Sequence, residues 1–281
     1  MIPHELKGSE AAKAICSSLQ EIVANLRNKN VIPTLAIVRV GSREDDVAYE
    51  QAAIKRFNNN SGRVLQVTLK ENCTQEELEK VIMNINRTRE VHGVLVMRPL
   101  PKHLNESRIK GMLNLRKDVD CMTYLGQAGL FMGEKGVFTP CTPQAVIELI
   151  DYFGIDVSGK KVTIVGRSQV VGKPLAIMLM NKNATVTVCH TKTADLRAEC
   201  KNADIIVACA GKARMIDDTY VSKDQIIIDV GINMADGVLC GDVDYDKVAP
   251  IVSAITPVPG GVGALTTSAL FKHTVLSADR S

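Results

Sequence analysis

The residues best suited to chemistry follow a short apolar strand in the second half of the chain. Val162–Val165 is a β-branched, apolar run, Gly166, Arg167 and Ser168 come directly after it, and Gly172 begins a segment with helical spacing. A glycine turn lets the backbone approach a bound group, and the free N–H groups of a helix start attract anions. The segment therefore predicts a pyrophosphate-binding turn of the dinucleotide type, although glycine turns after strands also occur without a ligand.

The end of the next strand indicates which dinucleotide would bind. An NAD site places Asp or Glu about 20 residues after the glycine turn, where it binds the ribose hydroxyls. Here the predicted strand Ala184–Cys189 is followed by His190–Thr193, which contains no acid. Cationic and hydroxyl groups suit a 2′-phosphate, so the sequence favours NADP over NAD. The alternative is that Arg167 and Lys192 are solvated surface charges.

Strands and helices alternate along both halves of the chain, which predicts an α/β fold with parallel sheets. The predicted strands are Thr34–Val40, Arg63–Leu69, His92–Met97, Val162–Val165, Ala184–Cys189, Ala203–Ala208 and Gln225–Val230. The predicted helices are Glu10–Leu26, Asp45–Phe57, Thr74–Asn86, Gln144–Phe153, Gly172–Met180 and Ala264–Ala278. The segment Thr123–Thr139 is expected to be a connection.

Two lobes follow from this pattern and from the length of 281 residues. We expect an N-terminal α/β catalytic domain at residues 1–121, with residues 264–281 packing back on it. Residues 122–263 are expected to form a Rossmann-like domain with a doubly wound parallel sheet.

Composition excludes several other classes of protein. The net charge of +3 is small and unclustered, which argues against a nucleic-acid partner. None of the eight cysteines forms a C-x-x-C pair, so we expect no disulfide and no metal site. No apolar run reaches membrane-spanning length and the N-terminus lacks a signal-peptide pattern, so we expect a cytoplasmic protein without a membrane partner.

Strand ends in open α/β sheets border the ligand crevice, which makes Gly41, Met97–Pro101 and the loop around Asp120 site candidates. The segment Thr256–Gly263 (TPVPGGVG) combines rigid and permissive residues that fix an unusual backbone path. A plain interdomain turn is the alternative for that segment.

Several motifs in order resemble the methylenetetrahydrofolate dehydrogenase/methenyltetrahydrofolate cyclohydrolase family, and the resemblance covers nearly the whole chain. The matching motifs are Lys117–Asp120 (KDVD), Pro140–Pro143 (PCTP), Gly166–Pro174 (GRSQVVGKP), Ile228–Asn233 (IDVGIN) and Thr256–Gly263 (TPVPGGVG). The resemblance implies oxidation of 5,10-methylenetetrahydrofolate with NAD(P), usually with hydrolysis of the product to 10-formyltetrahydrofolate. It also implies a homodimer and a folate site in a cleft between two lobes.

The resemblance assigns roles to individual residues. The catalytic positions are Tyr49, which would stack against the folate, and Asp120, which would hydrogen-bond the pterin ring. The remaining substrate positions are Val96, Met97, Arg98, Pro259, Gly260, Gly261, Val262 and Gly263. The cofactor positions are Gly166, Arg167, Ser168, Thr191 and Ile232.

This chain departs from the family pattern at positions that matter for the second reaction. The family lysine one helical turn after the tyrosine is Ala53 here, and Lys55 lies about 200° around the helix axis from it. The family glutamine at the third strand end is Met97, and the leucine after it is Arg98. The other departures are Asp46 for a serine, Cys121 for a glycine and Ala264 for a proline.

The two reactions place different demands on the site. Hydride removal from the methylene carbon needs no protein base, because the substrate's own nitrogens stabilise the cation and alignment does the work. Hydrolysis needs proton transfer, which neither Ala53 nor Met97 can perform. We therefore expect an NADP-dependent 5,10-methylenetetrahydrofolate dehydrogenase with weak or lost cyclohydrolase activity. Two features could replace the missing lysine: an ion pair between Asp46 and Arg98, or Arg98 alone as a cation near the position of the lysine. Arginine transfers protons poorly because it stays protonated.

Three alternatives remain open. The chain would be fully bifunctional, or a degenerate member that binds folate or nucleotide without turnover. Without the resemblance, a two-lobed NADP dehydrogenase of the shikimate dehydrogenase type would be the second choice.

Overall fold

A computed structural model describes residues 4–235 and 237–281. The chain forms two compact units. The three-stranded unit consists of Ala14–Cys141 and Thr267–Ser281, and the six-stranded unit consists of Thr142–Thr266 and the segment that ends at Lys13. Both are α/β units built on parallel sheets, as the sequence predicts.

The elements are numbered along the chain. The strands are β1 (His4–Glu5), β2 (Thr34–Val40), β3 (Arg63–Leu69), β4 (Gly93–Val96), β5 (Lys161–Val165), β6 (Thr185–Cys189), β7 (Ile205–Ala208), β8 (Ile226–Asp229), β9 (Asn233–Ala235), β10 (Val238–Cys240) and β11 (Ala254–Ile255). The α-helices are α1 (Gly8–Ser18), α2 (Gln20–Asn28), α3 (Glu44–Asn58), α4 (Gln75–Arg87), α5 (Glu106–Met112), α6 (Tyr124–Met132), α7 (Cys141–Tyr152), α8 (Gly172–Asn181), α9 (Leu196–Lys201), α10 (Tyr245–Val248) and α11 (Gly263–Asp279). Two 3₁₀ helices are Leu115–Lys117 and Asp218–Tyr220.

The three-stranded unit is organised around β2, which pairs in parallel with β3 on one side and β4 on the other. All seven residues of β2 are buried, as expected for a central strand covered on both faces. The apolar residues of one face pack against α4 and α5 in a single core. On α11, Phe271 meets Phe57 of α3 edge to face with ring centroids 5.1 Å apart, a contact worth about 0.5–1.5 kcal/mol.

Helix α4 shows how local sequence sets an element boundary. The Thr74 hydroxyl accepts from the backbone N–H of Glu77 at 3.2 Å, and the Glu77 carboxylate accepts from the Thr74 N–H at 2.8 Å. This capping box satisfies two N–H groups that the first helical turn leaves unpaired. It fixes the start of α4 where the Thr-Gln-Glu-Glu pattern predicts it.

The six-stranded unit carries one sheet in the order β1-β11-β8-β7-β5-β6, and every pairing in it is parallel. Strands β5, β7 and β8 are apolar and almost entirely buried, which is typical of a sheet with helices on both faces. The short antiparallel pair β9–β10 follows β8. Because the sheet is parallel, the loops after β5, β6, β8 and β11 all leave from the same edge.

Two sequence predictions of secondary structure were wrong. The predicted helix Glu10–Leu26 is two helices, α1 and α2, which meet at Leu19. The predicted connection Thr123–Thr139 contains α6, whose first turn is capped by the Thr123 hydroxyl accepting from the Gly126 N–H at 3.0 Å. Gly126 and Gly129 are tolerated inside α6 because each is buried against neighbouring side chains. Across the described residues, no helix combines the length and apolar character that a membrane crossing requires.

Candidate functional site

The end of β4 in the three-stranded unit brings two of the candidate residues into direct contact. Arg98 donates from Nη2 to Asp120 Oδ2 at 2.9 Å, and the two side chains are 13% and 15% exposed. The other Asp120 oxygen, Oδ1, accepts from the backbone N–H of Cys141 at 2.9 Å. Asp120 is therefore a mostly buried carboxylate with a charged partner, held at the strand end that the sequence singles out.

Helix α3 carries the other candidates of this unit. Tyr49 is half-buried, and Ala53, one turn later, is fully buried, whereas Lys55 is exposed as its helical position predicts. Asp46 does not pair with Arg98, so the replacement ion pair considered from the sequence does not form. Its carboxylate instead accepts two hydrogen bonds from Arg43, at 2.8 and 3.0 Å. Arg43 is only three residues away on the same turn, where a side-chain pair forms with little loss of entropy.

A buried ion pair that the sequence reading missed fixes α3 to the sheet. Arg39 of β2 donates from Nε to Glu50 Oε2 at 2.9 Å, and both side chains are buried. The Arg39 guanidinium also donates to the Gly41 carbonyl and to Thr68 of β3. These bonds tie α3 to the ends of two neighbouring strands. A charged residue inside the apolar run Thr34–Val40 was the sequence signal for it.

Val96 and Met97, both predicted substrate positions, are buried. The Val96 side chain belongs to the core between the sheet and α4, so packing accounts for it. Met97 continues β4, with its N–H donating to the Val38 carbonyl at 2.9 Å. Neither side chain has a titratable group, and proton transfer in this unit would have to come from other residues.

The thiols beside Asp120 do not supply that chemistry. Burial and the nearby carboxylates of Asp118 and Asp120 raise the pKa of Cys121 to about 12. Burial also raises the pKa of Cys141 well above its ordinary value. Both thiols stay protonated at neutral pH and act as small apolar groups. Burial likewise raises the pKa of Asp118, whose carboxylate accepts from the N–H groups of Met122 and Thr123 and so shapes the loop that follows Asp120.

In the six-stranded unit, the predicted glycine turn leaves β5 at the carboxyl edge of the sheet. Gly166 has a positive φ of 139°, and a Cβ there would lie 2.4 Å from the Cys209 carbonyl oxygen. A Cβ on Gly172 would lie 2.1 Å from the Gly166 carbonyl oxygen. The backbone of the turn therefore folds directly onto the start of α8, and only glycine fits at either position.

The charged and hydroxyl candidates surround this turn. Arg167 and Ser168 are exposed in it, and Thr191 is exposed just beyond β6, which pairs with β5. The Ser168 hydroxyl accepts from the Val171 N–H at 3.0 Å. Among the described residues, the Arg167 guanidinium makes no hydrogen bond or ion pair. These side chains are thus available to an anionic ligand at this edge.

The last candidates lie along the same sheet edge. Ile232 follows β8 and is 61% exposed. A Cβ on Gly263 would lie 3.3 Å from Ile232 Cδ1, so the loop after β11 reaches it. In that loop Pro259, Gly260 and Gly263 are exposed, whereas Gly261 and Val262 are buried. A Cβ on Gly8 would meet the Gly261 carbonyl oxygen at 2.0 Å, which fixes the loop against α1.

Two buried aspartates that the sequence reading missed organise this edge. Asp229 accepts from the N–H groups of Gly231, Asp242 and Val243 at 2.9–3.0 Å. Asp242 accepts from the N–H groups of residues 210–212 at 2.6–2.9 Å and from Asn233 Nδ2 at 2.9 Å. An Asp at the end of an apolar strand, as in Ile226–Asp229, was the available signal. The two carboxylates replace solvent for backbone groups that the loops would otherwise leave unpaired.

Asp229 should make the stability of the protein depend on pH. Burial raises its pKa from 3.8 to about 7, against the N–H bonds that lower it, so the folded protein keeps a proton that the unfolded chain has lost. The contribution of protonated Asp229 to the free energy of unfolding is complete below a pH of about 4, and it is lost as the pH rises through about 7. Urea unfolding between these limits should show a free energy of unfolding that falls more steeply in the wild type than in Asp229→Asn. Parallel pH profiles would contradict this expectation.

No group of three or more metal-ligating side chains occurs within residues 4–235 and 237–281. In the three-stranded unit, Arg98 contacts Asp120, and a second set of candidates lies along the carboxyl edge of the six-stranded sheet.

Comparison of the sequence with models of known protein families shows the family to which the chain belongs. The model of the tetrahydrofolate dehydrogenase/cyclohydrolase catalytic domain matches residues 6–120, and the model of the NAD(P)-binding domain of the same family matches residues 140–281. The chain belongs to the tetrahydrofolate dehydrogenase/cyclohydrolase family. The resemblance inferred from the motifs is confirmed, and so is the α/β fold class.

Known members of the tetrahydrofolate dehydrogenase/cyclohydrolase family align over almost the full chain. The bifunctional protein FolD of Clostridium botulinum is 47% identical over 277 residues, which are 98% of both chains. The bifunctional FolD structure from Campylobacter jejuni superposes with a TM-score of 0.95 at 38% identity and covers 98% of each chain. A Trypanosoma brucei methylenetetrahydrofolate dehydrogenase-cyclohydrolase, complexed with NADP and an inhibitor, superposes with a TM-score of 0.93 at 33% identity, covering 100% of this chain and 98% of the other.

Proposed function

We propose that this protein is an NADP-dependent 5,10-methylenetetrahydrofolate dehydrogenase of one-carbon metabolism that also acts as a methenyltetrahydrofolate cyclohydrolase. The observation that carries the proposal is the glycine turn of Gly166 and Gly172 at the carboxyl edge of a parallel sheet, in a member of this family. Residues 1–121 with 264–281 would bind the folate, and residues 122–263 the dinucleotide. The catalytic-domain model matches residues 6–120 and the NAD(P)-binding-domain model matches residues 140–281, which supports the two roles. The compact units of the structure set the boundaries differently, since Ala14–Cys141 groups with Thr267–Ser281.

The dinucleotide would lie along the edge formed by the loops after β5, β6 and β8. The N–H groups at the start of α8 suit the pyrophosphate, and Arg167, Ser168 and Thr191 suit a 2′-phosphate. Ile232 offers an exposed apolar surface on the same edge. The Trypanosoma brucei relative is described in complex with NADP, which supports NADP over NAD.

The folate would be recognised by the three-stranded unit, which carries Tyr49 and Asp120. The loop Pro259–Gly263 stays a proposed substrate contact, as the family resemblance implies. Asp120 would accept hydrogen bonds from the amino and ring N–H groups of the pterin, and the Tyr49 ring would stack on it. Bound NADP would supply the hydride acceptor. The protein's part in this step is to orient the methylene carbon and exclude water, since the nitrogens of the substrate stabilise the resulting cation.

The residues of this chain and the names of its relatives point to different outcomes for the hydrolytic activity. The relatives are named bifunctional, which fits the fully bifunctional alternative better than our expectation of weak or lost cyclohydrolase activity. A dehydrogenase with weak cyclohydrolase activity stays the second candidate. The observation that favours it is that Ala53 and Met97 stand at the positions of the family lysine and glutamine and that both are buried. The carboxylates of Asp46 and Asp120 are already engaged in ion pairs with Arg43 and Arg98.

One pair of assays separates these candidates. Purified protein is given 5,10-methylenetetrahydrofolate with NADP or NAD, and reduced nucleotide is followed by its absorbance. The same protein is then given 5,10-methenyltetrahydrofolate alone, and loss of that absorbance is compared with the buffer rate. Reduction of NADP with fast hydrolysis supports the bifunctional enzyme, and reduction without hydrolysis supports the second candidate. Tight binding of folate or NADP without turnover would identify a degenerate member and overturn the proposal.

Removing the charge of Arg167 should weaken NADP binding selectively. A charge-assisted hydrogen bond to phosphate contributes about 1.5–3 kcal/mol, so Arg167→Ala should raise the KM for NADP about tenfold or more. The KM for NAD should change little, because NAD has no 2′-phosphate. Lys223→Ala, at an exposed lysine that precedes β8 and so lies at the opposite edge of the sheet, serves as a charge-matched control in the same assay. Equal effects of Arg167→Ala on the two cofactors would contradict this assignment.

A homodimer is part of the proposal. In the part of the chain that the structure describes, strand β3 pairs with β2 alone and its other edge is unpaired. Its Leu65 is 43% exposed. A free strand edge with exposed apolar residues is a surface that a second copy can cover. Sedimentation equilibrium of the purified protein would measure the mass directly, and a monomer at micromolar concentration would refute it. We further propose a cytoplasmic location, without a nucleic-acid or membrane partner.

A further inference from the structure

The ion pair between Arg98 and Asp120 does more than neutralise two charges. Its Nη2–Oδ2 distance of 2.9 Å is that of a charge-assisted hydrogen bond, and both side chains are mostly buried. Asp120 is also held at Oδ1 by the Cys141 N–H. The carboxylate therefore has a donor on each oxygen, and its plane cannot rotate without breaking one of them.

Arg98 is itself anchored from the opposite side. Its backbone carbonyl accepts from Arg43 Nη2 at 3.2 Å, and the Arg43 guanidinium is held by both oxygens of Asp46. Asp46 lies in the first turn of α3, the helix that carries Tyr49. A continuous set of polar contacts thus runs from α3 through the strand end to Asp120.

We propose that Arg98 is a positioning residue for pterin recognition: it holds the Asp120 carboxylate in the one orientation that accepts from a 2-amino-4-oxopteridine. This inference rests on the proposed function and names the group by which the site would select its substrate. A planar guanidinium is suited to the task, because its donors are fixed in a rigid fork and it stays charged. A carboxylate oriented in advance loses less conformational freedom when the ligand binds.

Specificity follows from the same geometry. Asp120 is mostly buried, and Arg98 and the Cys141 N–H each donate to one of its oxygens. A ligand without the matching donors would leave the remaining lone pairs of the carboxylate unpaired and away from water. An Asp120 that is free to rotate could turn toward water or toward other donors instead. Loss of Arg98 should therefore weaken the discrimination between substrates with and without the amino group, beyond any general loss of affinity.

The test compares Arg98→Leu and Arg98→Lys with the wild type. For each protein, the KM and kcat are measured with 5,10-methylenetetrahydrofolate and NADP. Equilibrium binding is measured for folic acid and for an analogue in which a methyl group replaces the 2-amino group. Arg108→Leu is the control, since Arg108 also forms an ion pair, with Glu79 at 2.8 Å, in the same unit but away from these residues.

We expect Arg98→Leu to raise the folate KM about tenfold or more, with an unchanged KM for NADP. The ratio of the affinity for folic acid to the affinity for the analogue, which we call the binding ratio, should fall by a similar factor. In Arg98→Lys this ratio should lie between those of Arg98→Leu and the wild type. A merely structural role would lower the affinity for both ligands equally and leave the ratio unchanged. Arg108→Leu should change neither quantity.

An unchanged ratio in Arg98→Leu overturns the inference. If that variant does not fold, Arg98→Lys carries the test, and wild-type discrimination in the lysine variant overturns it as well, because lysine lacks the planar fork. Failure of the proposed function is distinguishable from failure of this inference. In the first case the wild type would reduce no NADP, whereas the binding ratios of the wild type and Arg98→Leu could still be compared.

Discussion

Gly172→Ala should abolish most of the NADP-linked activity. A Cβ at this position would lie 2.1 Å from the Gly166 carbonyl oxygen and 2.7 Å from its carbonyl carbon, both of them backbone atoms. Neither can rotate away as a side chain would, so the turn and the start of α8 must separate. Displacement of a binding group by about 1 Å can cost about a hundredfold in rate, and we expect a loss of that order in kcat/KM for NADP.

Stability should fall along with activity, and a control separates the two effects. Forcing extra atoms into a packed site costs about 1–3 kcal/mol, measurable by urea unfolding. Gly111→Ala is the matched control, because Gly111 lies in α5 with nothing within 4 Å of the added Cβ. It should leave NADP binding unchanged and raise the stability by up to about 1 kcal/mol, since alanine is the better helix former. Full NADP affinity in a folded Gly172→Ala protein would refute the role of this turn.

Asp242→Asn should be the most destabilising conservative substitution in the six-stranded unit. The carboxylate is fully buried and accepts four hydrogen bonds, three of them from the backbone N–H groups of residues 210–212. An asparagine keeps the shape but offers one acceptor oxygen, and its NH₂ group would face N–H donors. With each buried unpaired group costing about 1–3 kcal/mol, two lost bonds should lower the free energy of unfolding by about 2–6 kcal/mol.

The measurement is urea unfolding of the wild type and Asp242→Asn at one pH. Asp218→Asn is the control for the change of charge, because Asp218 is exposed in the neighbouring 3₁₀ helix, and it should stay within about 0.5 kcal/mol of the wild type. The loop at residues 210–212 follows β7, which pairs with β5, the strand that ends in the glycine turn. Displacement of this loop in Asp242→Asn should therefore also lower the affinity for NADP. A stability equal to that of the wild type would mean that water takes over the role of the carboxylate.

Local patterns sufficed for the elements of this fold because each has a short-range cause. Strand β2 is apolar apart from Thr34 and Arg39, α4 begins with a capping box, and Gly166 follows a β-branched strand. Neighbouring residues therefore determine what each of these segments becomes. Prediction from neighbouring residues failed for α6, because Gly126 and Gly129 are typical of loops. Their burial against Thr123 and Val137 is a tertiary fact that the local pattern does not contain.

The sequence by itself determined the α/β class, the family and the likeness of the glycine turn to a dinucleotide site, through ordered motifs that need no coordinates. Only the tertiary structure decided the partners of the charges. Asp46 and Arg98 are both near the strand end, yet one pairs with Arg43 and the other with Asp120. The Asp242 carboxylate meets donors 30 to 32 residues away along the chain. Such pairings depend on distances of about 3 Å between atoms from separate elements, and those distances exist only after the elements have packed.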